Sequence, residues 1–252
     1  MRLDDIQKIG VLGGGVMGGG ISQVMAIAGF EVIDRDLTTE LNHKTRDTIL
    51  NTRFGIRRAV EIGKLDQTDA ETAIANLHFT TRMEDLADCD FVIEAVPENL
   101  ELKQQVFKEL DEIVKPEAIF VSNTSGYVIA EIAQDVSDQR KTQCAGMHFF
   151  SPVPAMKSVE VIYIDGVTTP ETVEAVRGVG ERAGKIVSLV KDAPGTYGFL
   201  VNRIYAAARR EADKILEEGI ATEEDIDKGM KFGRNWPVGI YESRNATRQG
   251  WL

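Results

Sequence analysis

The sequence predicts an α/β fold, a mostly parallel sheet with flanking helices followed by a short helical segment. Three observations predict it. Short apolar runs alternate with longer stretches of helical period over about the first 190 residues. The strongest runs, "FVIEAV" (91–96) and "AIFVSN" (118–123), are apolar almost throughout, as strands covered on both faces are. Beyond the turn-rich stretch "KDAPGTYG" (191–198) only helical patterns follow.

Taken in order, Lys8–Leu12 reads as the first strand, and a glycine loop leads from it into a helix over about Met17–Ala28 that Gly29 stops. "EVIDRD" (31–36) is the second strand. Its Asp34 is out of place in a strand buried on both faces, and must find a partner or lie at a strand edge. One long polar helix is expected over Thr38–Ile62, ended by Gly63, and another over Asp69–Leu77, with His78 in the connection that follows. After "FVIEAV", Leu102, Val106, Leu110 and Val114 recur at helical spacing within a helix over Leu100–Val114. "AGMHFF" and "VEVIYI" are two further strands, then come a helix over Glu171–Ala183 and a last strand, "KIVSLV". This gives a sheet domain over residues 1–190 and a helical domain over 191–252. The helical part holds a helix over Phe199–Glu218 and a second started by Thr222, with Asp225 three residues on as a variant capping box. "IYESRNATRQGWL" (240–252) is polar and aperiodic, and is not expected to form a packed helix.

The bulk numbers exclude several classes. The chain has 252 residues, 43% hydrophobic and 27% charged, enough to bury a core. A net charge of −11 argues against nucleic acid or an anionic membrane surface as partner, since both want clustered Lys and Arg. Cys89 and Cys144 give neither a disulfide framework nor metal-ligand spacing, so no metal is expected. The N-terminus does not read as a secretory signal and no run approaches a membrane span, which makes the cytoplasm the expected compartment.

The chemistry begins at "VLGGGVMGGG", which contains Gly13-x-Gly15-x-x-Gly18. In a chain with 23 glycines the spacing alone is weak, and a glycine-rich turn in a packed core is the bland alternative. Its place between a strand and a helix makes it specific, and the fold Rossmann-like. Gly13 permits the tight turn, Gly15 lets a pyrophosphate approach the backbone, and Gly18 lets helix and strand pack closely. Val16 and Met17 then open the helix whose N-terminus favours phosphate. Asp36 ends the second strand, placed to accept ribose hydroxyls and repel a 2′-phosphate; this favours NAD over NADP, with neighbouring Arg35 as the residue that would argue the other way.

A nicotinamide cofactor implies hydride transfer, and oxidising an alcohol needs a base. Of three histidines, His43 lies in a polar helix and His78 in a connection, where solvated or packing roles are expected. His148, in "GMHFFSPVPAMKSVEVI" (146–162), ends a strand beyond the cofactor half of the sheet, where open parallel sheets bind ligands.

These stretches together resemble the L-3-hydroxyacyl-CoA dehydrogenases, including 3-hydroxybutyryl-CoA enzymes. The resemblance runs from about Lys8 to Gly239 and rests on "GVLGGGVMGGGISQV", "FVIEAVPENLELKQQVFKELD", "SNTSG", "GMHFFSPVPAMKSVEVI" and "GFLVNRI". It implies NAD as cofactor, an acyl-CoA substrate and a homo-oligomer, in the form of a dimer where a short helical tail permits it. It makes His148 the base and Glu160 its carboxylate partner; Ser125 contacts the substrate oxygen, and Asn202 helps hold the substrate carbonyl. Glu98 and Lys103 are placed near the nicotinamide. Each position has a plainer reading: Ser125 and Thr124 as turn caps, Asn202 as a helix N-terminal residue, Glu160 as an exposed strand residue. Arg53, Arg57 and Arg58 loosely match a basic site for the CoA phosphates, or else form a solvated helix face.

Three features depart from the family pattern. Ser151 stands where asparagine is common after "HFF". "PGTYGFLVNR" lengthens the usual "PGF-VNR" hinge. The helical domain reads as shorter than in the family, which would weaken the substrate side more than the cofactor side. A related hydroxy-acid (sugar-acid) dehydrogenase and an NAD-binding protein with impaired turnover stay open as alternatives.

Overall fold

The computed structural model describes residues 1–195 and 197–243. The elements are β1 (Lys8–Leu12), α1 (Val16–Ile27), β2 (Glu31–Arg35), α2 (Thr39–Asn51), α3 (Ile56–Glu61), α4 (Gln67–Ala75), β3 (Leu77–Thr80), β4 (Phe91–Glu94), α5 (Leu100–Ile113), β5 (Ile119–Ser122), α6 (Ile129–Ile132), α7 (Asp138–Lys141), β6 (Cys144–Phe149), β7 (Ser158–Tyr163), α8 (Pro170–Arg182), β8 (Ile186–Lys191), α9 (Val201–Glu217) and α10 (Glu223–Gly233). They form two compact units, Met1–Phe199 and a second that begins at Leu200.

The first unit is built on one eight-stranded sheet in the order β3-β2-β1-β4-β5-β6-β7-β8. All neighbours are parallel except β6 and β7, so β7 and β8 run against the other six strands. The chain starts in the middle at β1, winds outward to β3, and then returns to β4 on the other side of β1. That reversal leaves a crevice at the carboxyl ends of β1 and β4. β1, β4 and β5 are buried along nearly their whole length, as their apolar runs require. One apolar core packs α1, α4 and α8 against the sheet, and a second holds Phe107, Leu110, Phe120 and Ile129.

The long polar helix expected over Thr38–Ile62 is in fact two, α2 and α3, broken at residues 52–55. A Cβ at Gly55 would lie 2.8 Å from the Leu50 carbonyl oxygen, so the chain can fold back there only at a glycine. His78 falls within β3, at the sheet edge, where its side chain is exposed. In the second unit Tyr241 and Ile240 are each 3% exposed and pack with Ala212 of α9, contrary to the expectation of an unpacked tail. Asp227 holds that turn by accepting from the N–H groups of Tyr241 and Glu242, both at 2.9 Å. The tail from Arg244 onward lies outside the described residues.

Asp34 proves to be fully buried. Ser22 Oγ donates to its Oδ2 at 2.6 Å, while Oδ1 has no partner. Burial, opposed by the Ser22 bond and reinforced by the Asp36 charge, pushes its carboxyl up to about 7 from 3.8. The folded chain therefore holds this proton more tightly than the unfolded chain. Stability conferred by the protonated form is complete below about pH 4, falls as pH rises toward 7, and stays lost above it. The loss is at most about 4 kcal/mol. Asp34→Asn keeps an acceptor for Ser22 and abolishes the ionisation. It should raise the melting temperature by several degrees at pH 8 and leave it nearly unchanged at pH 4; an equal shift at both pH values would contradict this account.

Candidate active site

The glycine loop fits a dinucleotide on three counts. Gly13 has φ +90°, and a Cβ there would lie 2.8 Å from the Ala95 carbonyl oxygen, so the β1 turn presses against the end of β4. A Cβ at Gly18 would lie 1.8 Å from the Gly13 carbonyl oxygen, which shows how closely α1 packs on the loop. Above Gly15 there is open space: a Cβ there would meet nothing within 4 Å. Gly15 is also the N-cap of α1 and brings no side chain to cap it, so the first N–H groups of a twelve-residue helix stay available to an anion. Val16, the first residue of that helix, is half-exposed and Met17 is partly buried behind it.

Asp36 is bound to the same loop. Its Oδ2 accepts from Gly14 N at 3.0 Å and its Oδ1 from Leu37 N at 2.6 Å. A carboxylate has about four lone-pair positions, so acceptor capacity remains for ribose hydroxyls. Thr45 Oγ1 donates to the Gly14 carbonyl at 2.5 Å, which ties α2 to the loop as well.

A polar cluster occupies the carboxyl ends of β4 and β5. Lys103 Nζ lies 2.7 Å from Glu94 Oε1, 3.2 Å from the Val96 carbonyl and 3.3 Å from Glu98 Oε2. Its three protons are engaged within the protein and it is 1% exposed, so it supports Glu98 rather than reaching a ligand itself. Burial pushes the Glu94 carboxyl up, against Lys103 and the Ser122 hydroxyl, which hold it down. Glu98 Oε1 in turn accepts from Thr124 Oγ1 at 2.7 Å and from Ser125 N at 2.9 Å, fixing the "SNTSG" turn. Thr124 does cap this turn, its Oγ1 accepting from Tyr127 N at 3.0 Å, while the Ser125 side chain is half-buried. Glu94 and Ser122 had no place in the sequence reading, and Thr124 had one only as a turn cap. A glutamate inside the apolar run "FVIEAV" was the available signal.

His148 and Glu160 are direct cross-strand partners in the antiparallel pair β6–β7. His148 Nδ1 lies 2.7 Å from Glu160 Oε2. Both are buried, at 3% and 0% exposure, so Glu160 is no exposed strand residue. A carboxylate can only accept, so Nδ1 carries the proton and Nε2 is left as the basic nitrogen. Phe150 and Phe199 flank the imidazole, their ring centroids 4.6 and 5.8 Å from its own. Asn123 Oδ1 accepts from Phe149 N at 2.9 Å, which ties the Ser125 turn to the end of the histidine strand. Asn202 lies in the first turn of α9, in the second unit.

Residues 8–193 match the model of the 3-hydroxyacyl-CoA dehydrogenase NAD-binding domain, and residues 198–247 match that of the same enzymes' C-terminal domain. The chain belongs to the 3-hydroxyacyl-CoA dehydrogenase family. Family membership makes it an NAD-dependent oxidoreductase with a Rossmann-like sheet. A probable 3-hydroxybutyryl-CoA dehydrogenase of Deinococcus radiodurans is 43% identical over 233 residues, 92% of this chain and 80% of that one. The mitochondrial hydroxyacyl-coenzyme A dehydrogenase of Rattus norvegicus is 37% identical over 240 residues, 94% of this chain and 74% of that one. Among solved structures, the (S)-3-hydroxybutyryl-CoA dehydrogenase of Ralstonia eutropha superposes with a TM-score of 0.86 at 37% identity, covering 94% of this chain and 80% of that one. No helix among the described residues is long and apolar enough to cross a membrane, and no cluster of potential metal ligands occurs among them.

A basic region lies at the far end of α1. Arg53, Lys64, Lys157 and Arg182 line a cavity of about 690 Å³ together with Phe54 and Met156. Of the three arginines singled out for CoA phosphates, only Arg53 lines it. Arg57 donates to Asn51 Oδ1 and Arg58 pairs with Glu61, both on an exposed face.

Proposed function

We propose that the protein oxidises L-3-hydroxyacyl-CoA to 3-ketoacyl-CoA, reversibly, with His148 as general base and Glu160 as its partner. The observation that carries this is the buried Nδ1–carboxylate contact at the carboxyl end of β6, in a chain whose family is NAD-dependent. NAD supplies the hydride acceptor for C3 when bound; Gly13, Gly15, Gly18 and Asp36 are the residues that hold it. His148 Nε2 takes the 3-hydroxyl proton, and the Glu160 carboxylate stabilises the imidazolium that forms. Ser125 orients the substrate oxygen, and the family resemblance gives Asn202 the role of helping to hold the substrate carbonyl. Glu98, braced by Lys103, keeps the Ser125 turn in place beside the nicotinamide. The basic cavity at Arg53 suits the phosphates of the CoA moiety. Apolar side chains left exposed on the second unit, Ile204, Ile220 and Phe232, suit the homo-oligomer that the family resemblance implies.

The test is NADH absorbance at 340 nm with acetoacetyl-CoA, alongside NAD⁺ with sugar-acid and other non-CoA hydroxy acids. Rapid NADH loss with acetoacetyl-CoA alone is expected, with a kcat on the order of 1–10³ per second. Turnover of a free hydroxy acid without turnover of the CoA thioester would sink the proposal.

A further inference from the structure

The buried carboxylate of Asp34 lies against the dinucleotide loop. A Cβ at Gly14 would fall 2.6 Å from Asp34 Oδ1 and 2.5 Å from Thr45 Oγ1, so Gly14 rests on both polar groups. The backbone of Gly14 is held as well. Its N–H donates to Asp36 Oδ2 at 3.0 Å, and its carbonyl accepts from Thr45 Oγ1. The middle of the loop thus stands between two carboxylates, one buried and one partly so. The next residue is Gly15, which leaves the open backbone at the start of α1.

Among the described residues no cation offsets a charge on Asp34. Ser22 Oγ donates to its Oδ2 at 2.6 Å, and its Oδ1 has no partner. The helix α1 carries no charged side chain. On α2, Glu40, His43, Lys44, Arg46 and Asp47 are exposed, as are Asp69 and Glu71 on α4. Lys8 sits at the start of β1 and pairs with Glu31 and Asp88, and His78 on β3 is exposed. Glu31 and Arg35 face the other side of β2, since side chains alternate along a strand. The turn at Met83–Leu86 packs with Ile33 on that other side. The charge that acts on Asp34 is that of Asp36, of the same sign.

We propose that NAD binding is linked to a proton on Asp34: the loop takes the pyrophosphate with Asp34 neutral, and affinity falls when Asp34 ionises. A pyrophosphate brings two negative charges to the loop on which Asp34 is buried. At the low effective dielectric of a protein interior, like charges repel over several ångströms. The cofactor therefore favours the neutral carboxyl, and by reciprocity the neutral carboxyl favours the cofactor. In the free protein burial already holds this carboxyl up at about 7, and bound cofactor raises it further. Affinity is full below the free value, falls as pH rises from there to the bound value, and stays low above it. The link rests on the reading that the glycine loop carries the pyrophosphate; it does not depend on the acyl-CoA substrate.

The experiment is calorimetric titration of the full chain with NAD⁺ at pH 6 and pH 9. Wild-type affinity should be about 10-fold lower at pH 9, which corresponds to a carboxyl raised by about one pH unit on binding. Asp34→Asn cannot ionise and keeps an acceptor for Ser22, and should bind within about twofold at both pH values. At pH 7.5, titration in two buffers of different ionisation enthalpy should show about half a proton taken up per NAD⁺ in the wild type and none in Asp34→Asn. Ser22→Ala removes a donor that favours the ionised form, so its fall in affinity should move up by about 0.5–1 pH unit. Equal wild-type affinity at pH 6 and pH 9, the same fall in Asp34→Asn, or a Ser22→Ala midpoint that stays or moves down would each overturn the proposal. Gly15→Ala keeps the loop reading separate. Unchanged affinity at pH 6 in that variant fails the loop reading, whereas wild type against Asp34→Asn decides the proton link.

Discussion

His148→Gln should lower turnover of acetoacetyl-CoA by about 10²- to 10⁴-fold, the range that a positioned general base contributes. The affinity for NAD should change by less than about twofold. The two expectations separate because the histidine and the dinucleotide loop occupy different parts of one sheet. His148 ends β6, whereas the loop joins β1 to α1, and β4 and β5 stand between β1 and β6. Glutamine retains a polar side chain of similar reach for Glu160 but offers no basic nitrogen near neutral pH. The fold should tolerate it, since Glu160, buried at 0% exposure, keeps a hydrogen-bond donor. Isothermal titration with NAD and steady-state assay of the same preparation check both halves. Retained turnover would remove His148 from the role of base, and a collapse of both quantities would point to misfolding instead.

The pairing of His148 with Glu160 illustrates what a sequence can and cannot display. The strand pattern, the proline-rich turn and the twelve-residue separation already suggest a returning strand. Only the register, His148 opposite Glu160, decides that the two side chains meet on one face, because a slip by one residue would point one of them the other way. The glycine loop was legible because its chemistry is local: a tight turn, a bare backbone and a helix start all fall within six residues. Non-local features were not. Asp34 looked misplaced in β2, and its answer is Ser22, twelve residues away on α1. Lys103 sits in a motif that suggested cofactor contact, and it turns inward because Glu94, at the end of β4, lies within its reach. The helix break before Gly55 was hidden because "NTRFG" is polar enough to continue a solvated helix. Ile240 and Tyr241 looked like part of an aperiodic tail because their partner surface on α9 is almost thirty residues upstream in the chain.

Gly15→Ala and Gly18→Ala should fail in opposite ways, although they differ by three positions in one loop. At Gly15 the added methyl meets nothing within 4 Å, and the backbone, at φ −62°, is one that alanine adopts. The variant should fold with a melting temperature close to that of the wild type. Its NAD affinity should nonetheless fall by about 100-fold, roughly 2.7 kcal/mol, because the methyl stands where the pyrophosphate must come against the backbone. At Gly18 the methyl would lie 1.8 Å from the Gly13 carbonyl oxygen and 2.9 Å from its carbon, both backbone atoms that no rotamer change can move. Relief requires α1 to lift from the β1 turn, and that turn is itself pressed against Ala95 at the end of β4. The expected cost is several kcal/mol, beyond the roughly 1–3 kcal/mol of ordinary core overpacking. Gly18→Ala should therefore lose melting temperature even without cofactor. Thermal unfolding of the apo proteins and calorimetric titration with NAD distinguish the two. If Gly15→Ala bound NAD as the wild type does, the pyrophosphate would not pass over this residue, and the loop would have to be read as a packing turn alone.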